Sequence, residues 1–261
     1  IDVSLVGSEM CIRDSNPREV NAGLLLGRIA IHARAFKQAE KLLKRVIKIA
    51  PKFILAWHEL SNALREQGKD EEAIELLEEA LLFDTENATT HYQLAAALAV
   101  AGRTADSASA YKKAVQIDPN LVGAYLGLGH TLKTMGDLEG GIAAYKQARK
   151  LKPNIGEISF SLSNLKTFRF SDLEIEDMKR RLNNPNLDQP SKVAFSFSLG
   201  KAYEDMKKYD EAFEFYLKGN EIHRSLVTYD PVQTEVSNEK LKEVFSKAVS
   251  YTHLRAHETN V

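Results

Sequence analysis

Apolar residues in the first two-thirds of this chain recur with a period of 34 residues. One copy of the pattern spans residues 54–87. Its Trp57, Leu60 and Leu64 lie at i, i+3 and i+7, the spacing of a buried stripe on one face of a helix. After Gly68 comes a second apolar stripe, made of Ala73, Leu76, Leu77, Ala80 and Leu81. Each copy therefore predicts two amphipathic helices joined by a turn at glycine.

Equivalent positions of successive copies carry similar residues. The turn glycine recurs at Gly68, Gly102 and Gly136. The other recurrent positions are Leu26, Leu60, Leu94 and Leu128; Ala80, Ala114 and Ala148; Trp57, His91 and Tyr125; and Pro51, Thr85, Pro119 and Pro153. Helices shorter than about 12–15 residues are marginal in isolation, so the pairs must stack to be stable. A fixed period of this length predicts an all-α solenoid.

These residues resemble the tetratricopeptide repeat (TPR), a helix–turn–helix unit. The resemblance covers residues 20–155 as four units and returns at residues 193–226. It implies a right-handed α-solenoid of stacked antiparallel helix pairs with a ligand-binding concave face. Residues 156–192 break the period, and we interpret them as a degenerate repeat followed by a linker helix and a loop. Within that segment Ser171 and Glu174 have the spacing of a capping box.

Both ends of the chain depart from the repeat pattern. We interpret residues 1–15 and 249–261 as translated sequencing-adapter sequence, and residues 227–248 as a helix that leads to a missing C-terminal domain. The suspect ends contain the single cysteine, Cys11, and the pair His253 and His257, whose i, i+4 spacing would suit a metal. Because these histidines lie in a suspect end and a zinc site would need further ligands, no metal site is predicted.

Composition narrows the classes of partner. The chain has 36 acidic and 35 basic residues and a formal net charge of −1, so no basic excess is available for nucleic acid. No apolar run approaches the roughly 18 residues needed for a membrane span. A single cysteine suits a reducing compartment, and a cytoplasmic location is expected. The expected partner is a protein or peptide, or a second copy of the chain.

The C-terminal third resembles the linker of bacterial TPR-containing sulfotransferases. The segment FRFSDLEIEDMKRRL is followed by a repeat and then by the sequence TYDP. The residues that carry this resemblance are Tyr209, Asp210, Glu211, Ala212, Phe213, Gly219, Asn220, Arg224, Tyr229 and Asp230. The resemblance implies that the chain is the non-catalytic N-terminal arm of an enzyme that takes sulfate from 3′-phosphoadenosine 5′-phosphosulfate.

No catalytic or cofactor-binding residue is predicted in the chain itself. Binding of a phosphosulfate requires a strand, a Gly/Ser/Thr-rich loop and a basic side chain, and the sequence has no such loop. Gly123, Gly127 and Gly129 lie inside a predicted helix, where close helix packing explains them. Whether the parent protein is an enzyme therefore stays open.

The candidate binding surface is the concave face formed by the first helix of each unit. Polar and aromatic residues in phase on that face can stack on, or hydrogen-bond to, an extended peptide. The predicted contacts are His58, Asn62, Arg65, Tyr92, His130 and Lys133. The alternative is an ordinary wet surface with Tyr92 wedged between helices.

Two further functions remain beside the sulfotransferase arm. A free-standing adaptor is the first. Its chaperone-tail form is disfavoured, because the Lys and Asn that it needs are replaced by Leu24, Arg28, Gln93, Gly123 and Gly127. The second is the repeat arm of a glycosyltransferase. The resemblance to such arms would require asparagine at one groove position of successive repeats. Here that position holds Leu25, Glu59, Gln93 and Gly127.

Overall fold

A computed structural model describes residues 17–227 and 230–258, and within these residues it contains helices but no strands. No helix in this part of the chain is long and apolar enough to cross a bilayer. The helices are α1 (Pro17–His32), α2 (Phe36–Ile49), α3 (Ile54–Arg65), α4 (Asp70–Phe83), α5 (Ala88–Val100), α6 (Thr104–Ile117), α7 (Val122–Thr134), α8 (Leu138–Leu151), α9 (Gly156–Ser163), α10 (Asp172–Leu182), α11 (Gln189–Asp205), α12 (Tyr209–Leu226) and α13 (Pro231–Glu258).

Helices α1 to α8 form four consecutive antiparallel pairs. Each second helix packs against its own partner and against the first helix of the next pair, while α1, α3, α5 and α7 also contact one another in order. The apolar stripes predicted from the sequence form the core between the pairs, with Leu43, Leu60 and Leu77 fully buried. The predicted fold class, an all-α TPR solenoid, is confirmed.

The turns inside the pairs require a left-handed backbone conformation. Gly68, Gly102 and Gly136 have φ angles of 72°, 77° and 85°, which cost glycine no steric strain. Arg34 and Lys207 stand at the equivalent positions of the first and last pairs and adopt φ angles of 57° and 61°. The repeat geometry therefore imposes this turn even where the sequence supplies no glycine.

An aromatic residue near the start of α3 and of α5 ties each helix to the loop that joins it to the preceding unit. Trp57 donates from Nε1 to the backbone oxygen of Pro51 at 2.8 Å. One period later, His91 Nε2 lies 3.0 Å from the backbone oxygen of Thr85. The same side-chain-to-backbone bridge thus recurs across two unit boundaries, which explains the large polar-tipped residue at this position.

The period breaks where α9 packs directly against α11. Gly156, the first residue of α9, permits this contact because a Cβ there would lie 2.5 Å from the backbone oxygen of Ser191. Its N–H donates to the hydroxyl of Ser191 at 3.1 Å. Helix α10 lies to one side, where it packs against α11 and begins with the predicted capping box at Ser171 and Glu174.

Helix α13 begins directly after Asp230, which caps its first turn. The Asp230 carboxylate accepts hydrogen bonds from the backbone N–H groups of Val232 and Gln233, at 2.9 and 3.2 Å. Its large apolar residues between Val232 and Phe245 are exposed, and among the described helices α13 has no extensive packing partner. The predicted adapter segment 1–15, with Cys11, lies outside the described residues, as do residues 259–261. The adapter origin of both ends stays a prediction.

Candidate functional site

The first helices of the four pairs form the layer on which the predicted contacts lie. His58, Asn62 and Arg65 belong to α3, Tyr92 to α5, and His130 and Lys133 to α7. Consecutive first helices contact one another, so this layer is continuous from α1 to α7. The structure divides the six side chains into four environments.

His58 is buried between α3 and α5 and does not reach the exposed surface. Its Nε2 lies 2.7 Å from the hydroxyl of Thr90, which is also buried. Burial lowers the pKa of His58, because the imidazolium form would lose its hydration. The prediction of His58 as a peptide contact is therefore corrected: this side chain joins two repeats.

Asn62 and Arg65 line an open cleft with a volume of about 450 Å³. The rest of its wall comes from the end of α1, the turn into α2, the ends of α3 and α5, and the start of α4. These residues are Ile31, His32, Arg34, Phe36, Glu66, Asp70 and Val100. The cleft combines cationic, anionic and apolar groups, and it contains two of the six predicted contacts.

Several cleft residues were not among the predicted contacts. Ile31 and His32 of α1 share the repeat phase of Arg65 and Glu66, so the period could have indicated both. Arg34 and Phe36 flank the α1–α2 turn, which lacks the glycine that marks this turn in the next three units. Val100 enters from α5, one full repeat beyond Glu66, and only the stacking of the units brings it near.

Tyr92 is half-buried and packs between helices. Its ring centroid lies 6.0 Å from that of Tyr111, and its hydroxyl covers Gly123. Burial, with the neighbouring Tyr92, raises the pKa of Tyr111 to about 12. The geometry thus agrees with the interpretation of Tyr92 as wedged between helices.

His130 and Lys133 lie farther along the layer, and both are exposed. His130 Nδ1 lies 2.9 Å from the hydroxyl of Tyr145, and the two rings meet edge to face. Partial desolvation lowers the pKa of His130. The charge of Lys133 lowers it further, whereas the charge of Glu157 raises it. A neutral His130 can accept the Tyr145 hydroxyl at Nδ1 and present Nε2–H to a ligand.

The glycines of α7 lie under tyrosine rings. A Cβ at Gly127 would lie 2.3 Å from Cζ of Tyr111, and one at Gly129 would lie 2.4 Å from Cε1 of Tyr145. Close helix packing therefore accounts for these glycines, as the sequence indicated.

The helix pairs stack through buried apolar stripes, and their first helices form a continuous layer with a cleft across it. This architecture defines a repeat protein of the TPR class. Family models agree. The model described as TPR repeat matches residues 61–102, and the model described as Tetratricopeptide repeat matches residues 122–155 and 194–224. The chain therefore contains tetratricopeptide repeats.

Comparisons with individual proteins extend this result at the level of the fold. The PilF structure from Pseudomonas aeruginosa superposes with a TM-score of 0.57 at 17% identity, covering 79% of this chain and 97% of PilF. A MamA structure from Desulfovibrio magneticus RS-1 gives 0.50 at 16% identity, covering 80% of this chain and 97% of that one. An uncharacterised protein of Aquifex aeolicus (strain VF5) is 28% identical over 85 residues, which are 33% of this chain and 11% of that protein.

Proposed function

We propose that this chain is a protein-interaction scaffold that binds an extended peptide across its layer of first helices, as a free-standing adaptor does. The match to TPR models supports the scaffold. The observation that carries the finer proposal is the cleft beside Asn62 and Arg65. Among the described residues, the side chain of neither one has a hydrogen-bond or ion-pair partner, and Nε of Arg65 is buried without one.

The chemistry of the cleft suits a peptide that carries a carboxylate. A guanidinium binds a carboxylate through two parallel hydrogen bonds, and Arg65 stands near His32 and Arg34. The amide of Asn62 can accept a backbone N–H and donate to a backbone carbonyl. Phe36 and Val100 offer apolar contact for a neighbouring side chain. The preferred ligand therefore has an acidic residue or a free C-terminus next to an apolar residue.

Peptide display followed by titration calorimetry tests this proposal. Peptides selected on the full chain are expected to bind Arg65→Ala at least about tenfold more weakly, since a hydrogen bond to a charged group contributes about 1.5–3 kcal/mol. Leu82→Ala serves as the matched control, because Leu82 is exposed on α4 and is not part of the cleft. Failure to select any peptide, or equal binding by Arg65→Ala, would refute the proposal.

A second candidate is the arm of a sulfotransferase. The observation that favours it is the order of sequence features between Phe168 and Asp230. The described residues do not themselves fit 3′-phosphoadenosine 5′-phosphosulfate, because they contain no strand that could present a phosphate loop. The cofactor would belong to a domain beyond Ala248.

Sequencing of the source locus past Ala248 distinguishes the two candidates. A strand followed by a Gly/Ser/Thr-rich phosphosulfate loop is the result expected for the sulfotransferase arm. A stop codon soon after Ala248, or continuation through the segment VSYTHLRAHETNV, would remove that candidate and leave the adaptor.

A further inference from the structure

The first helix exposes a position that is buried in the following units. Ile29 of α1 is 62% exposed, whereas the residues at the same repeat phase, Ala63, Ala97 and Thr131, are 0%, 0% and 4% exposed. In those units the position is covered by the second helix of the preceding pair. Ala22 and Leu25 of α1, and Ala33 in the turn that follows it, are exposed around Ile29. Together these four residues form what we call the α1 end face.

The last helix pair shows the complementary exposure. Phe213 of α12 is 67% exposed, whereas Ile74 and Ala108 at the same repeat phase are 1% and 4% exposed. In those inner pairs the position is covered by the first helix of the next pair. Tyr209 and Leu217 are exposed one turn on either side of Phe213, and these three residues form the α12 end face.

The two end faces are the two halves of one contact that the solenoid already makes internally. Ile74 of α4 belongs to the same core cluster as Ala97 of α5, with Ala101 packed against it. By repeat phase, Phe213 corresponds to Ile74, while Ile29 and Ala33 correspond to Ala97 and Ala101. Docking the α12 end face onto an α1 end face would therefore repeat the α4–α5 packing.

We propose that the α12 end face of one copy of this chain docks on the α1 end face of a second copy. Burial of apolar surface on both sides provides the driving force. Exposed Asp210 and Glu214 border one face and exposed Arg34 borders the other, so these side chains add opposite charges at the edge of the apolar contact, while exposed Lys218 beside Leu217 adds a positive charge to the first face. Because the two faces differ, the contact is heterologous, and each added copy leaves a new end face open.

The helix that follows α12 leaves its end face uncovered. Helix α12 has 18 residues, whereas α2, α4, α6 and α8 have 14 each. The extra turn moves the start of α13 about 6 Å farther along the helix axis, at 1.5 Å per residue. No extensive packing between α13 and α12 is present in the described part of the chain.

Molar mass as a function of concentration tests the proposal. Light scattering after size exclusion of the full 261-residue chain is expected to show species above twice the 29.2 kDa of one chain, growing with concentration. Phe213→Glu and Ile29→Glu are each expected to abolish this growth with unchanged helical circular dichroism, since both side chains are exposed. The control Leu82→Glu, exposed on α4 away from both end faces, should behave as the unmodified chain.

Mixing the two variants distinguishes this contact from other self-association. Phe213→Glu keeps an intact α1 end face, and Ile29→Glu keeps an intact α12 end face, so the mixture is expected to form dimers and nothing larger. A monomeric unmodified chain would overturn the proposal. A mixture that stays monomeric would overturn it too, because the two intact end faces would then have failed to bind each other. An Ile29→Glu variant that still oligomerises would also overturn it, because α12 would then pair with itself or with α13. The cleft residues Asn62 and Arg65 lie outside both end faces, so peptide binding is tested separately.

Discussion

Replacement of Gly156 by alanine is expected to lower the free energy of unfolding by about 3 kcal/mol, the upper end of the usual range for overpacking a core. The added Cβ would lie 2.5 Å from the backbone oxygen of Ser191 and 2.8 Å from its Cα. These are backbone atoms in the first turn of α11, and no rotamer change can move them. Helices α9 and α11 would have to separate, and the hydrogen bond from Gly156 N–H to the Ser191 hydroxyl would be strained or lost.

Urea denaturation followed by circular dichroism measures this loss, and Glu157→Ala is the matched control. Glu157 is the next residue of α9 and is exposed, so its truncation should change stability by no more than about 0.5 kcal/mol. Hydrogen exchange should show the largest increase in α9 and α11. A loss below about 1 kcal/mol for Gly156→Ala would show that the two helices separate easily, contrary to their close packing.

This contact matters because it joins the regular and irregular parts of the solenoid. Helix α9 packs on α8 on one side and on α11 on the other, whereas α10 contacts α11 without rebuilding a regular pair with α9. Loosening of the α9–α11 contact would therefore release the last helix pair from the four regular units.

The regular part of the fold was predictable because its information is local and repeated. Each turn glycine and each apolar stripe recurs at the same phase, so an ambiguous position is supported by its equivalents. Arg34 and Lys207 show the strength of this phase information, since both adopt the left-handed turn without being glycine. The α9–α11 contact was not predictable, because it depends on where α10 is displaced, and no second copy of that arrangement exists in the sequence.

The candidate site was predictable only in part, for a related reason. The helical spacing of Asn62 and Arg65 placed them on one stripe, and both line the cleft. The same stripe included His58, whose buried partner Thr90 lies 32 residues away. Helical periodicity gives the face of a side chain, but whether the next repeat covers that face depends on stacking. The cleft residues from the α1–α2 turn were missed because no stripe contains them.

The second large effect is expected for Gly127→Ala in α7. A Cβ at Gly127 would lie 2.3 Å from Cζ and 2.5 Å from the hydroxyl of Tyr111, a buried ring in the central core cluster. Alanine gains about 1 kcal/mol of helix propensity over glycine, yet displacing a packed ring costs more. The net loss is expected to be about 2 kcal/mol in urea denaturation.

Gly123→Ala is the matched control, one turn earlier on the same helix. Its Cβ would lie 3.3 Å from Cε2 of Tyr92, a half-buried ring that can shift by a few tenths of an ångström. The helix-propensity gain should then leave stability unchanged or higher by up to about 1 kcal/mol. Equal destabilisation by both substitutions would mean that the glycines act through something other than the tyrosine rings.

A double variant shows whether the Tyr111 ring is the cause. One repeat earlier, Leu77 of α4 stands at the position of Tyr111, and Gln93 of α5 stands at the position of Gly127. The smaller Leu77 thus accompanies the larger Gln93. Tyr111→Leu should therefore make room for Gly127→Ala. The double variant is expected to be at least about 1 kcal/mol more stable than the sum of the two single changes predicts. Simple additivity would contradict this, because it would mean that the methyl group and the ring do not meet.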